Sequence, residues 1–350
     1  MHAPTLPTVT GFAARQLTAL LRERNVALAP LLQSAGLTKG DVFQRTNRIS
    51  AAAQSKLLEL AADALGDDAL GLHLATRANP RDAGLIFYVA SAAKSIGEAL
   101  TMLERYLRIT NEAVHVKIIQ KSNEAVLQIN VVGLARHRVQ QNAEFGIAVI
   151  LKALRDVAGR KICPTEASFV LGHASKLRDF ERFYGCPIAF GAPADCLVFA
   201  AETLALPLVT EDADLLETLK PVCDAALRER GTRAGTLRAL VENEAQKTLT
   251  RGKIGISDIA KGLGMSARTL SRRLADENVT YSELVDNLRQ SLALQYLKDS
   301  GVSLAQIAWL LGYEDAASFS HASRRWTGQT PSALRRRLTM SETNSSKIAV

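Results

Sequence analysis

Long apolar runs are missing from this 350-residue chain. No stretch of about 18 uninterrupted apolar residues occurs, so a membrane-spanning helix is not expected. The opening Met1-His2-Ala3-Pro4 also lacks the basic-then-apolar layout of a signal peptide. Cysteine is scarce. Cys163, Cys186, Cys196 and Cys223 form no C-x-x-C pair and the six histidines are scattered, whereas a structural zinc site takes closely spaced ligand pairs. No metal and no cofactor are expected, and the thiols read as inert buried groups of a cytoplasmic protein. Catalytic signatures are missing too: there is no G-x-x-x-x-G-K-[ST], no H-E-x-x-H and no G-x-S-x-G. Ser91-Ala-Ala-Lys94 matches the S-x-x-K pattern of a serine nucleophile, but the S-D-N and K-T-G partner elements are absent. In a chain so rich in small residues that tetrapeptide arises easily by chance. The expectation is a protein that is not an enzyme.

What is present is ordinary globular composition, 47% hydrophobic and 22% charged, which excludes collagen-like, mucin-like and wholly disordered chains. At roughly 100–200 residues per domain, the length suggests two domains. The net charge is +8, and it is uneven. Residues 235–338 hold 15 basic and 10 acidic side chains, so +5 sits in under a third of the chain. A basic C-terminal region fits a nucleic-acid or anionic partner, or simply a solvated basic face.

The first 110 residues read as mainly helix. Leu17, Leu20 and Leu21, and then Leu57, Leu58, Ala61, Ala62 and Leu65, follow three-and-four spacing. Ser95 with Glu98 offers a capping box. From Val114 the period drops to two, predicting strands through Val116 and Ile118 and through Val126, Ile129 and Val131, joined around Lys121-Ser122-Asn123-Glu124. A helix over about 139–158, strands at 166–171, 188–190 and 195–200, and a helix over 176–184 complete an α+β N-terminal domain. Residues 211–230 read as helix, Gly231–Gly235 as a linker, and the chain is nearly all α from there to Leu338. The expected division is 1–210, a sensing and dimerisation domain; 211–234, linker helix and linker; 235–338, an all-α domain; and 339–350, a frayed polar tail.

The C-terminal region repeats one pattern. The first copy is Ile256-Ser257-Asp-Ile259-Ala260-x-x-Leu263-Gly264-Met265-Ser266, continuing to Leu270 and Leu274. The second is Val302-Ser303-Leu304-Ala-Gln306-Ile307-Ala308-x-x-Leu311-Gly312-Tyr313, continuing to Phe319 and Trp326. A small Ala suits a close helix crossing, and Gly four residues later suits a left-handed turn. An apolar anchor then opens a second helix, which is the layout of a helix-turn-helix. Ser257 is a candidate cap for the first unit, and Ser303 with Gln306 for the second. Thr280 and Glu283 open a helix of roughly 18 residues between the copies, about 27 Å long. That is close to the about 34 Å turn of B-DNA, so two recognition helices so joined could enter successive major grooves.

Residues 235–338 resemble the two-helix-turn-helix domain of the AraC/XylS family of transcription regulators. The closing Gly312-Tyr313 … Ser318-Phe319-Ser-x-Ala-x-Arg324-Arg-Trp326-x-Gly328-x-Thr-Pro331 carries the likeness. Phe183 to Gly191, through Leu206-Pro207-Leu208, is similar to the larger arabinose-binding-type sensor domain of one branch, that of the ornithine-utilisation and quorum-modulating regulators. The resemblance implies a cytoplasmic, nucleoid-bound regulator of promoter sites on double-stranded DNA, responsive to a small-molecule effector. It also implies a homodimer and a possible contact with RNA polymerase. His321 and Ser323 depart from the family pattern, so the second unit would read DNA differently. An effector-independent architectural DNA-binding protein with a vestigial sensor is the alternative.

On the first recognition helix Leu270 and Leu274 point inward, leaving Arg268, Ser271 and Arg272 on the opposite face. Arg reads guanine bidentately and Ser less strictly. On the second, Phe319 and Trp326 anchor the core, leaving Ala317, Ser318 and His321 toward the groove. Arg273, Arg324 and Arg325 are candidates for phosphates, and the run Arg335-Arg336-Arg337 reads equally as further backbone contacts or as an ordinary solvated charge run. Arg105, Tyr106 and Arg108 are the candidates for an anionic effector. The opposing reading leaves the arginines solvated and Tyr106 in the core.

Overall fold

In the computed structural model, residues 7–44, 47–132, 134–172, 176–230, 237–249, 255–298 and 302–338 are described. The expected linker Gly231–Gly235, the tail 339–350 and the opening Met1–Pro4 lie outside them. Strand β1 (Thr8–Val9) pairs antiparallel with β2 (Ile49–Ser50) and ties the chain start to the first helices: α1 (Phe12–Glu23), α2 (Leu28–Ala35) and α3 (Lys39–Phe43). Helix α4 (Ala51–Leu65) buries Leu57, Leu58, Ala61 and Ala62, the spacing expected of an amphipathic helix. Next come α5 (Leu70–Arg77), α6 (Leu85–Ser91) and α7 (Ile96–Tyr106). Ser95 caps α7 by accepting the Glu98 N–H at 3.3 Å, but the Glu98 carboxylate takes the Lys94 N–H at 3.0 Å, one residue before the reciprocal box expected.

The period-two segments form β3 (Val114–Gln120) and β4 (Glu124–Val131), a hairpin in register Val116↔Ile129. Helix α8 (Gln140–Ala158), β5 (Glu166–Phe169), α9 (Leu177–Tyr184), β6 (Ile188–Phe190) and β7 (Asp195–Ala200) follow. The sheet order is β3-β4-β7-β5-β6, with only β5 and β6 parallel. Gly71 lets α5 reach the first turn of α8: a β-carbon there would lie 2.2 Å from the Gln141 carbonyl oxygen. The Gly71 N–H donates to Gln141 Oε1 at 2.7 Å, and Gln141 Nε2 donates to the Asp68 carbonyl at 2.6 Å.

Helix α10 (Ala213–Arg230) is more than a linker. Its Leu216 and Cys223 are buried against Ile86, Val89, Met102 and Tyr106 of α6 and α7. The C-terminal half comprises α11 (Leu237–Thr248), α12 (Ile256–Gly262), α13 (Ala267–Asp276), α14 (Tyr281–Lys298), α15 (Leu304–Leu310), α16 (Ala316–Thr327) and α17 (331–338). It has its own core around Val241, Ile259, Leu270, Leu288 and Phe319, which also takes in Leu171 from the end of β5. Both expected boxes close: Ser303 with Gln306, and Thr280 with Glu283. Ser257 does not cap α12. The helix starts at Ile256 and its cap position is Gly255, so Ser257 already stands inside the first turn.

Candidate DNA interface and effector cavity

Two helix-turn-helix units are present, α12–α13 and α15–α16, bridged by α14. Ala260 and Ala308 are buried at the crossings, and the turn glycines Gly264 and Gly312 have φ of 68° and 74°. Only glycine takes that conformation cheaply. Caps fix where each recognition helix begins: Ser266 Oγ accepts the Thr269 N–H at 3.2 Å, and Asp315 Oδ1 accepts the Ser318 N–H at 2.6 Å.

Leu270 and Leu274 are buried, and Arg268, Ser271, Arg272 and Arg273 are exposed. Among the described residues, none of these three arginines has an ion-pair partner. On α16, Phe319 is buried while Ala317, Ser318, His321 and Arg324 are exposed. Arg325 is engaged: its Nη2 lies 2.7 Å from Asp286 Oδ1, and Trp326 Nε1 donates to the other oxygen of Asp286 at 3.0 Å. These bonds fasten α16 to α14. Ser323 is buried and its hydroxyl donates to the Gln329 carbonyl at 2.9 Å. Arg335 donates to the Val302 carbonyl at 2.6 Å, which gives it a structural task at the start of the second unit.

The halves meet at residues 134–138. Asn243 of α11 accepts the Arg136 N–H at 2.6 Å and donates to the Leu134 carbonyl at 2.8 Å. The Arg136 side chain turns inward and binds Asp195 through both oxygens, at 2.5 and 3.0 Å, fully desolvated. Asp195 also accepts the Val170 N–H at 2.9 Å, next to the Leu171 that enters the C-terminal core. Beside this pair, the His137 imidazole is pushed down to about 3 by burial and then by Arg138 and Arg136. It is therefore neutral at pH 7, and Glu242 takes its charge partners from Arg238 at 3.0 Å and Arg138 at 3.4 Å.

A cavity of about 160 Å³ lies within the N-terminal half, between α1, α6, α7 and α8. Arg105, Tyr106 and Arg108 do not line it. Tyr106 is buried and its hydroxyl donates to Asp224 of α10 at 2.9 Å, while Arg105 pairs with the same carboxylate at 2.8 Å. Burial and that hydrogen bond raise the Tyr106 hydroxyl to about 12. Arg105 and Tyr106 thus moor α10, and the geometry gives the three residues no place in this cavity. Ser91 of the S-x-x-K tetrapeptide does line it, but its hydroxyl is spent on the Tyr88 carbonyl at 3.0 Å and Lys94 is exposed. Periodicity does not single out the polar cavity residues or the junction residues. The signal for Asn142 is the polar opening Gln140-Gln141-Asn142-x-Glu144 before the apolar run Phe145 to Leu151. The described residues hold no group of three metal-ligating side chains, and no helix among them is long and apolar enough to cross a membrane.

Residues 26–208 match the family model for the arabinose-binding domain of AraC transcription regulators, and residues 259–337 match a helix-turn-helix domain model. The chain is 25% identical over 327 residues to the ornithine utilization regulator of Pseudomonas aeruginosa, covering 92% of this chain and 94% of that protein. It is 28% identical over 280 residues to the transcriptional regulator VqsM of the same organism, with 76% and 83% covered. The crystal structure of the transcriptional regulator CdpR from Pseudomonas aeruginosa superposes with a TM-score of 0.42 at 22% identity, over 88% of this chain and 96% of that one. With its N-terminal arabinose-binding-type domain and its paired helix-turn-helix units, the chain belongs to the AraC family of transcription regulators.

Proposed function

We propose that α13 and α16 read promoter DNA from successive major grooves, with Arg268, Ser271 and Arg272 on bases in the first unit and Ala317, Ser318 and His321 in the second. The observation that carries this reading is the pair of exposed, partner-free arginines, Arg268 and Arg272, on the face opposite buried Leu270 and Leu274. Arg273 and Arg324 suit phosphates, which position without specifying. Arg325 also suits phosphate, at the expense of its bond to Asp286. The protein acts without catalysing a reaction, in the cytoplasm on the nucleoid, as a dimer that contacts RNA polymerase. The apolar cavity in the N-terminal half favours effector control over an architectural role, because a switch needs a ligand that distinguishes two states.

Genome-wide capture with the full-length protein at fixed physiological salt, followed by footprinting of the strongest fragment, tests this. Two protected patches about one helical turn apart are expected. Arg272→Ala should weaken that site roughly 10- to 100-fold, the worth of one bidentate arginine–guanine contact, with the circular dichroism spectrum unchanged. Unchanged affinity removes Arg272 from the interface.

A further inference from the structure

The cavity has a chemical character of its own. Its 160 Å³ compares with engineered apolar cavities of about 150 Å³ that admit benzene. No ionisable side chain lines it; its polar side chains are Thr10, Gln54, Ser91, Thr110, Asn111 and Asn142. Most of these are already engaged. The Ser91 and Thr110 hydroxyls donate to the Tyr88 and Leu107 carbonyls at 3.0 and 3.1 Å, and Asn111 Oδ1 accepts the Ala113 N–H at 2.9 Å. Gln54 accepts the Ala14 N–H at 3.4 Å and donates through Nε2 to Asn142 Oδ1 at 2.8 Å. That chain of bonds orients Asn142, whose side-chain assignment follows from its partners. Its oxygen is turned to Gln54, and its Nδ2 is a donor with no partner among the described residues. Asn142 is only 7% exposed and lines the cavity, so that donor is free for a molecule seated there.

Gly146 stands four residues on, over the same helix face as Asn142. A β-carbon built there meets nothing within 4 Å. Glycine inside a helix is unfavourable relative to alanine, and here the missing side chain leaves open space beside the cavity.

We infer that this cavity binds a neutral, mainly apolar molecule about the size of a substituted benzene ring, with one hydrogen-bond acceptor set on the Asn142 amide. The inference rests on the reading of the N-terminal half as an effector domain and narrows its ligand. A sugar brings several hydroxyls that would lose their water partners for a few free groups, the Asn142 and Asn111 amide nitrogens and the Thr10 hydroxyl. An amino-acid zwitterion finds no counter-charge. A carboxylate meets no cation among the residues that line the cavity. The sugar in the family model's description and the amino acid in one relative's name therefore do not transfer to this chain.

The test is titration calorimetry on the full-length protein at pH 7.5 with acetophenone, ethylbenzene, benzoate, arabinose and ornithine. Acetophenone should bind best. Ethylbenzene, its counterpart without the acceptor, should bind about tenfold more weakly, one hydrogen bond's worth, and the other three should not saturate. Gly146→Leu should abolish acetophenone binding while the circular dichroism spectrum is retained. Asn142→Leu should bring acetophenone down to the level of ethylbenzene. Benzoate, arabinose or ornithine binding more tightly than acetophenone overturns the inference, as does the absence of binding by every probe or acetophenone binding indifferent to both substitutions. If Gly146→Leu fails to fold, the wild-type ranking and Asn142→Leu still decide. Effector control is read separately: the probes may rank as expected while the DNA footprint ignores them, in which case the site stands and control of DNA binding through it falls.

Discussion

Two titratable residues near the start of α8 pull stability in opposite directions with pH. Burial raises the Glu59 carboxyl from 4.5 to about 7, even against the Gln141 N–H that favours its charged form. Below pH 4.5 the group is neutral both folded and unfolded; from there to about 7 the unfolded chain ionises first. Its stabilising contribution is thus complete below 4.5 and lost as pH rises through 7. His137 does the reverse. Held down to about 3 by burial, it adds nothing unfavourable above 6.5, and its contribution is lost as pH falls toward 3, where only the unfolded chain readily takes the proton. Between about 4.5 and 6.5 the two slopes oppose each other. Glu59→Gln keeps an acceptor for Gln141 and removes one slope. It should stabilise the protein by about 2 kcal/mol at pH 8, give almost nothing at pH 4.5, and steepen the loss between 6.5 and 4.5. Urea denaturation across that range measures it; a gain independent of pH would mean Glu59 is not charged at pH 8.

Among the elements, the second helix-turn-helix is the most exacting. Ala308 is buried where α15 crosses its neighbours. Ala308→Glu should cost more than about 3 kcal/mol, melting the α15–α16 unit and erasing one of two protected patches while the α12–α13 patch persists. An unfolding curve superimposable on wild type would contradict that packing. Elements of this kind are legible in the sequence because their information is local: Leu270 and Leu274 fall one turn apart, Gly312 follows Ala308 by four, and Ser303 precedes Gln306 by three. The hairpin through Ile118 and Ile129 is legible for the same reason. The β1–β2 pair is not, since two residues cannot display a period. The start of α12 lies two positions before the one Ser257 would cap, because Ser257 has the chemistry of a cap without its place. The cavity is illegible because its walls come from segments as far apart as Phe12 and Val157, and no local pattern announces an unfilled space. Tyr106 and Arg105 show the same limit: their partner Asp224 lies 118 and 119 residues away.

For the molecule as a whole, the junction at residues 134–138 is where sensing and DNA reading share structure. Asn243 satisfies backbone groups at Leu134 and Arg136 at once, and the desolvated Arg136–Asp195 pair behind it tolerates no loss of either member. Asn243→Ala strands the Arg136 N–H and the Leu134 carbonyl, about 1–3 kcal/mol of interface. The two halves should melt together in the wild type and separately in this variant, as two resolved calorimetric transitions. A single transition in both would show that the Leu171 contact suffices to couple them. The close approach at Gly71 adds a mechanical side to this coupling. Helix α8 behaves as a cantilever: its first turn is clamped by Gly71, Asp68 and Glu59, and its span borders the cavity. A load on the span, such as a molecule seated under Gly146, is felt at the root as torque rather than as travel. The root adjoins the residues that hold Asn243, so on the proposed reading any strain from the cavity would reach the C-terminal half through that root.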